Sequence, residues 1–192
     1  MSKENLSPQE ALEKLKEGNK RYLTAETNSG DVSPKIRKRT CDEGQSPFAI
    51  VVACSDSRVI PESIFMAGIG ELFVIRVAGN VMDNHQLGSI EYAAGHLGCK
   101  LVVILGHSNC GAVDAAIHHS PSGYVKYITD EIKKAIGEEK DPIRASCLNV
   151  ERSVAAVRDS LGMKEAGENS DVKVCGAVYH IDSGKVEFLD EK

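Results

Sequence analysis

Three side chains that bind zinc well stand in two short motifs of this sequence. Cys54 opens the segment Cys54-Ser-Asp-Ser-Arg58, and His107 and Cys110 stand three residues apart in a second segment. Thiolate and imidazole are good zinc ligands, and three protein ligands leave the fourth tetrahedral position open for water or substrate. A closed structural site would need a fourth protein ligand. The two motifs therefore predict a catalytic metal centre, provided that the fold brings them together.

Asp56 and Arg58 strengthen this interpretation. An arginine can hold a carboxylate through two parallel hydrogen bonds and keep it ionised as an acceptor beside a metal. Each residue also has an ordinary explanation: Cys54 as a small buried side chain, His107 with Cys110 as half of a structural zinc site, and Asp56 with Arg58 as a structural ion pair. Their joint occurrence favours the catalytic interpretation.

The elements before the two motifs place them at the same edge of a sheet. Apolar, mostly β-branched runs at 49–53 and 101–105 lead directly into Cys54 and towards His107. Such runs are typical of parallel strands that are covered on both faces. The carboxyl ends of neighbouring strands form the usual crevice for a site in open α/β sheets. We therefore expect Cys54 and His107 to meet there.

The two motifs resemble those of the β-class carbonic anhydrases. That family carries C-x-D-x-R followed by H-x-x-C about fifty residues later, and both stand here at 54–58 and 107–110. The flanking segments Gly44-Gln-Ser-Pro47 and Phe73 to Asn80 are also similar to family segments. The resemblance extends from roughly Glu10 to Phe188 and is highly specific.

The resemblance implies an enzyme with one zinc ion per chain, held by Cys54, His107 and Cys110. It implies reversible hydration of CO2 to bicarbonate and a proton, carried out by zinc-bound hydroxide. Zinc lowers the pKa of bound water from 15.7 to about 7, which makes hydroxide available near neutral pH. Asp56, held by Arg58, would accept a hydrogen bond from the hydroxide and orient it towards the substrate.

The resemblance also implies a substrate pocket, which lies partly across a subunit interface in the family. The matching positions are Gln45, Phe73, Tyr92 and Gly111. For Phe73 and Tyr92, plain core packing is the alternative. The homodimer or assembly of dimers that we expect rests on the same resemblance.

Arg76 matches an arginine that, in some bacterial members, joins a tryptophan to bind inhibitory bicarbonate. Val51 stands at the tryptophan position here, and the chain contains no tryptophan. This difference predicts the open form of the site, with water on zinc. Otherwise Arg76 is expected to be an ion-pair residue.

Strands alternate with helices along the chain, which predicts an α/β fold with a mostly parallel sheet. The resemblance specifies three layers, with four to five strands and helices on both faces. At 192 residues the chain suits one domain, 1–192. Further strands are predicted at 72–77, 172–179 and up to Phe188, and helices at 61–66, around Ile90, at 112–117, over 124–136 and from Pro142 to Gly162.

Residues 1–45 are expected to form an N-terminal helical arm. Ser7, Pro8 and Glu10 are typical of a capped helix start. The apolar face of this helix could cover its own domain, whereas the family resemblance implies packing on a partner subunit. The basic run 35–39 favours a solvated surface over a binding patch.

Composition excludes several other functions. The net charge is −5 without a basic cluster, which disfavours nucleic acid as a partner. No apolar run approaches the roughly 20 residues of a membrane span, and the N-terminus is unlike a signal peptide. We expect a cytoplasmic protein whose six cysteines form no disulfide framework.

Two rival functions remain open at this point. The same scaffold could hydrolyse CO2-like sulfur compounds such as carbon disulfide or carbonyl sulfide, as some relatives do. Alternatively, the chain could be a non-catalytic zinc-binding or thiol-sensing module, which leaves Asp56 and Arg58 without a purpose. His118 and His119 are candidate proton relays, although a solvated loop is the favoured interpretation.

Overall fold

Five strands form one mixed sheet in the computed structural model, which describes residues 6–160 and 172–189. The strands are β1 (Ala49–Ala53), β2 (Leu72–Arg76), β3 (Leu101–His107), β4 (Lys173–Tyr179) and β5 (Val186–Phe188). Their order across the sheet is β2-β1-β3-β4-β5. The first four are parallel, and β5 pairs with β4 in the antiparallel direction. The predicted fold class is confirmed.

Helices cover the sheet and connect its strands. They are α1 (Pro8–Tyr22), α2 (Pro34–Glu43), α3 (Pro61–Ile64), α4 (Asn84–Leu97), α5 (Gly111–His118), α6 (Val125–Ile136) and α7 (Pro142–Asp159), with a 3-10 turn at Ala78–Asn80. The predicted capping box at Ser7 is formed, and Gly98 closes α4 with a φ of 69°. The predicted end of α7 at Gly162 lies outside the described residues. Within the described ranges, no helix has the length and apolar character that crossing a membrane requires.

The central strands β1 and β3 are buried on both faces, which explains their unbroken apolar runs. Val51 and Val103 pack with one cluster of core residues, to which Leu12 and Leu15 of α1 also belong. Alternate residues, such as Ile104, pack with a second cluster that includes residues of α4 and α7. Burial on both faces removes the alternation of an exposed strand.

The first helix covers its own chain. Leu12 and Leu15 are 3% and 0% exposed in the core. Asn19 fixes the far end of α1: its Nδ2 donates to Ile64 O at 3.3 Å and Gly184 O at 2.9 Å, and its Oδ1 accepts from Val186 N at 2.9 Å. The apolar face of α1 is thus covered by its own chain. That other surfaces of the arm 1–45 pack on a partner subunit stays a prediction.

Helix α2 lies within the predicted helical arm 1–45, but its bounds were not predicted from the sequence. Ser33 caps it by accepting a hydrogen bond from Ile36 N, and Pro34 occupies its first turn. Ile36 is its single buried residue. The basic run 35–39 therefore lies on a largely solvent-exposed helix. An exposed helix carries little apolar periodicity, although the Ser-Pro start was a readable signal.

Candidate active site

The metal ligands predicted from the sequence come together at the carboxyl edge of the sheet. Cys54 follows β1, His107 is the last residue of β3, and Cys110 is the N-cap of α5. Pairing of Ala53 with Leu105 aligns the ends of the two strands. The ligand atoms of the three residues lie within 4.8 Å of one another. They are buried, with 5%, 1% and 5% of their surface exposed.

The chemistry of this cluster fits zinc. His107 Nδ1 lies 2.8 Å from Ser108 O, a contact that fixes Nδ1 as the donor and Nε2 as the available ligand. His107 Nε2 is buried without a hydrogen-bond partner. A buried polar atom left without a partner is costly, and a metal ion would satisfy it. No other group of three or more such ligands stands within reach of one another in residues 6–160 and 172–189.

Contact between the two thiols shifts their pKa values in opposite directions. A hydrogen bond from Cys110 lowers the pKa of Cys54, which is the member that holds the negative charge. The same contact raises the pKa of Cys110. Burial lowers the pKa of His107, but the nearby negative charge of Cys54 and the hydrogen bond to Ser108 O outweigh burial, so that its pKa is raised. A divalent cation would displace the thiol proton of Cys110 and bind both thiolates.

Asp56 and Arg58 form a bidentate pair beside the ligands. Arg58 Nε donates to Asp56 Oδ1 at 2.9 Å and Arg58 Nη2 to Oδ2 at 2.7 Å. The backbone N–H of Arg58 also donates to Oδ1 at 3.0 Å. This fork holds the pKa of Asp56 far below its usual range. Arg58 Nη2 further donates to Asn109 O at 3.1 Å, which ties the first motif to the second.

Arg76 supports the first motif through its backbone. Its Nε donates to Cys54 O at 3.1 Å and its Nη2 to Asp56 O at 2.7 Å. The residue reaches both carbonyls because it pairs with Ala53 across the parallel strands β1 and β2. Sequence reasoning considered Arg76 only for ion pairs or anion binding, because carbonyl acceptors leave no residue-type signal.

Gly79 is a further site residue that sequence reasoning missed. Its backbone N–H donates to Cys54 Sγ at 3.2 Å. Its φ is 68°, and a Cβ at this position would stand 2.8 Å from Ile132 Cδ1 and 3.1 Å from Ala112 Cβ. The positive φ favours glycine here, and any side chain would also require Ile132 and Ala112 to shift. The sequence indicated only that a strand ends near Gly79.

The predicted pocket residues are less closely grouped within one chain. Gly111 follows Cys110 and opens α5, and Gln45 is exposed. Phe73 lies on the edge strand β2 and Tyr92 on α4, with ring centroids 6.2 Å apart and Tyr92 47% exposed. Both aromatics therefore border the edge of the sheet, and their pocket role stays a prediction.

The histidines at the end of α5 are exposed. His118 Nδ1 lies 3.1 Å from Asp114 Oδ1. His119 Nε2 lies 4.0 Å from Asp114 Oδ2. Their position on a solvated surface agrees with the favoured interpretation, and a proton relay through them stays untested.

A buried Cys-His-Cys set beside an ionised, arginine-held aspartate defines a candidate metalloenzyme site on an α/β sheet. A family model described as carbonic anhydrase matches residues 49–186. Carbonic anhydrase 2 of Mycobacterium tuberculosis is 34% identical over 197 aligned residues, which cover 97% of this chain and 95% of the relative. The carbonic anhydrase of Mycolicibacterium smegmatis is 34% identical over 196 residues, covering 96% of this chain and 94% of the relative.

Solved structures agree with the sequence relatives. A tetrameric β-carbonic anhydrase of Sordaria macrospora superposes with a TM-score of 0.76 at 26% identity, over 82% of this chain and 87% of that one. A β-carbonic anhydrase of Aspergillus fumigatus gives a TM-score of 0.76 at 28% identity, over 82% and 81% of the two chains. The chain therefore belongs to the β-class carbonic anhydrases, a family of lyases.

Proposed function

We propose that the chain is a zinc-dependent carbonic anhydrase that catalyses the reversible hydration of CO2 to bicarbonate and a proton. The observation that carries this proposal is the convergence of Cys54, His107 and Cys110 next to the bidentate pair of Asp56 and Arg58. Membership of the family supports it. The three ligands would hold one zinc ion and leave its fourth position to water.

Zinc bound at this site would act as a Lewis acid that lowers the pKa of water to about 7 and so supplies hydroxide near neutral pH. The remaining work falls to the protein. Cys54 and Cys110 provide the negative charge that retains the cation. His107 is fixed in the required tautomer by Ser108 O. Arg76 holds the backbone of the loop that carries Cys54 and Asp56.

Asp56 is assigned an orienting role. Its low pKa keeps it ionised throughout the neutral range, so it accepts hydrogen bonds but holds a proton weakly. A carboxylate of this kind is a poor general base at neutral pH. We infer that Asp56 accepts a hydrogen bond from the attacking water and directs the oxygen lone pair at the carbon of CO2, while the released proton passes to solvent.

The assembly we propose is a homodimer or an assembly of dimers. Strand β2 forms one edge of the described sheet, and the exposed Tyr92 lies beside it. An interface at this edge would bring Gln45, Phe73 and Tyr92 of one subunit towards the pocket of the other. The helical arm 1–45 would add to that interface, as part of a single domain 1–192. A cytoplasmic location also stays a prediction.

Removal and return of the metal tests the proposal. Hydration of CO2 should be rapid in the zinc-loaded protein, fall to the background rate after chelation, and return when one zinc per chain is restored. Hydrolysis of carbon disulfide or carbonyl sulfide by the same preparation, without CO2 hydration, would favour the sulfur alternative. Zinc binding that changes neither rate would indicate a structural or thiol-sensing module.

A further inference from the structure

Two polar side chains of α7 are buried against the 3-10 turn at Ala78–Asn80. Asn149 and Ser153 are 3% and 4% exposed, and they stand one helical turn apart on the same face. Asn149 Nδ2 donates to Gly79 O at 2.7 Å, and Ser153 Oγ donates to Asn80 O at 3.3 Å. Both side chains therefore hold the 3-10 turn at Ala78–Asn80.

This turn has an unusual backbone. Gly79 and Asn80 have φ angles of 68° and 42°, so two successive residues lie in the left-handed region. Asn80 carries a conformational cost there that glycine does not, and surrounding contacts must compensate for it. The hydrogen bonds from Asn149 and Ser153 to the carbonyls of Gly79 and Asn80 are contacts of that kind.

The turn aims one backbone donor at a metal ligand. With the carbonyl of Gly79 fixed, its N–H reaches Cys54 Sγ at 3.2 Å in a buried environment. An N–H that donates to a thiolate withdraws electron density from the sulfur and fixes its direction. With two thiolates among three ligands, such a bond would keep the metal a stronger Lewis acid.

We propose that Asn149 and Ser153 are positioning residues for the zinc thiolate of Cys54, acting through the 78–80 turn. The proposal rests on the zinc site of the proposed function. Neither side chain belongs to the candidate metal ligands Cys54, His107 and Cys110. Asn149 and Ser153 hold the Gly79 N–H in its hydrogen bond with Cys54 Sγ. This bond lowers the electron density on the sulfur and so would make the attacking water more acidic.

The test measures an absorption band that depends directly on the Cys54 thiolate. The full chain is loaded with Co²⁺, whose thiolate charge-transfer absorption moves to longer wavelength when a thiolate loses a hydrogen bond. Asn149→Ala should show that shift, and Ser153→Ala a smaller shift in the same direction. Zinc affinity from chelator competition should fall by about 10- to 100-fold in Asn149→Ala, because the lost orientation of the Cys54 thiolate outweighs its stronger electron donation. The pH profile of CO2 hydration should move towards higher pH.

Ser146→Ala is the matched control. Ser146 is also buried on α7, but its Oγ donates to Pro142 O at 2.9 Å within the helix, away from the turn. This variant should keep the wild-type absorption band and zinc affinity. If Asn149→Ala does not fold, Ser153→Ala carries the test.

Wild-type band position and zinc affinity in folded Asn149→Ala and Ser153→Ala would overturn the proposal and leave these residues a structural role. A shifted band in a protein that does not hydrate CO2 would support the positioning role while rejecting the proposed activity. A wild-type chain that gives no cobalt–thiolate band would overturn the metal site and this inference together.

Discussion

The charge state of Asp56 depends on a geometry that only arginine provides at position 58. Two parallel N–H donors meet two carboxylate oxygens, so the carboxylate is ionised and its orientation is fixed. A lysine would keep the positive charge but offer a single point of contact. Comparing arginine with lysine at position 58 therefore separates the effect of the positive charge from the effect of a fixed orientation of the Asp56 carboxylate.

Arg58→Lys is expected to lower kcat for CO2 hydration by about 10- to 100-fold, the loss typical of residues that support a metal site. Zinc content should be unchanged, because the side chain at position 58 is not one of the three ligands. Stopped-flow kinetics with zinc analysis measures both. Wild-type kcat in this variant would mean that charge alone suffices and that the fork is not needed.

Zinc binding should release protons. The pKa of Cys110 is raised because its thiol donates a hydrogen bond to Cys54. The pKa of His107 is raised as well, so His107 should contribute to the number of protons released. Both must lose their protons to bind a cation, so affinity should rise with pH. Titration calorimetry in buffers of different ionisation enthalpy should give at least about one proton per zinc.

Cys110→Ser is the matched variant for that titration, because it removes the thiol whose proton is displaced. This variant should release fewer protons per zinc and bind zinc more weakly. Release of no proton by the wild-type chain at neutral pH would show that the metal does not displace the proton of Cys110.

The 78–80 turn carries a steric constraint beside the candidate metal ligands. A side chain on Gly79 would adopt a φ of 68° and meet Ile132 Cδ1 at 2.8 Å. Gly79→Ala should therefore lower the free energy of unfolding by about 1–3 kcal/mol, from backbone strain and overpacking. It should also weaken zinc binding, because the donor to Cys54 Sγ moves.

Gly88→Ala is the control for this change. Gly88 lies within α4, and a Cβ there meets nothing within 4 Å. Alanine should stabilise the helix by about 0.5–1 kcal/mol. Urea unfolding of both variants gives the comparison, and equal stability of the two would contradict the steric account of the turn.

The sequence predicted the strands and the convergence of the three candidate metal ligands for a physical reason. Buried parallel strands need continuous apolar runs, and zinc needs particular side-chain types at particular spacings. Cys54, His107 and Cys110 carry both signals at once. The bounds of helix α2 within the arm 1–45 were missed because an exposed helix shows little apolar periodicity.

Contacts made by backbone atoms were beyond sequence reasoning. The donor at Gly79 and the carbonyl acceptors of Arg76 have no residue-type signature, since every residue carries them. Asn149 stood within a predicted helix, but its partner is reached only after folding, 70 positions away in the chain. Such supporting groups become visible only in three dimensions.

The proposed assembly should be visible in the mass of the protein in solution. The chain should sediment as a dimer or a multiple of dimers, because the aromatic pair of Phe73 and Tyr92 lies at an open edge of the sheet. Tyr92→Asp should shift the equilibrium towards smaller species by placing a charge in that interface. Sedimentation equilibrium measures both. A wild-type monomer at micromolar concentration would contradict the assembly.

Asp56 is engaged by Arg58, and in the mechanism we propose it leaves the fourth position of the metal open near neutral pH. The most direct measurement is stopped-flow CO2 hydration near pH 7.5 and near pH 8.5, on zinc-loaded protein with Asp56→Ala beside it. We predict rapid hydration at both pH values and a loss of orders of magnitude in the variant at equal zinc content. Activity that appears only at the higher pH, or at neither, would contradict the account.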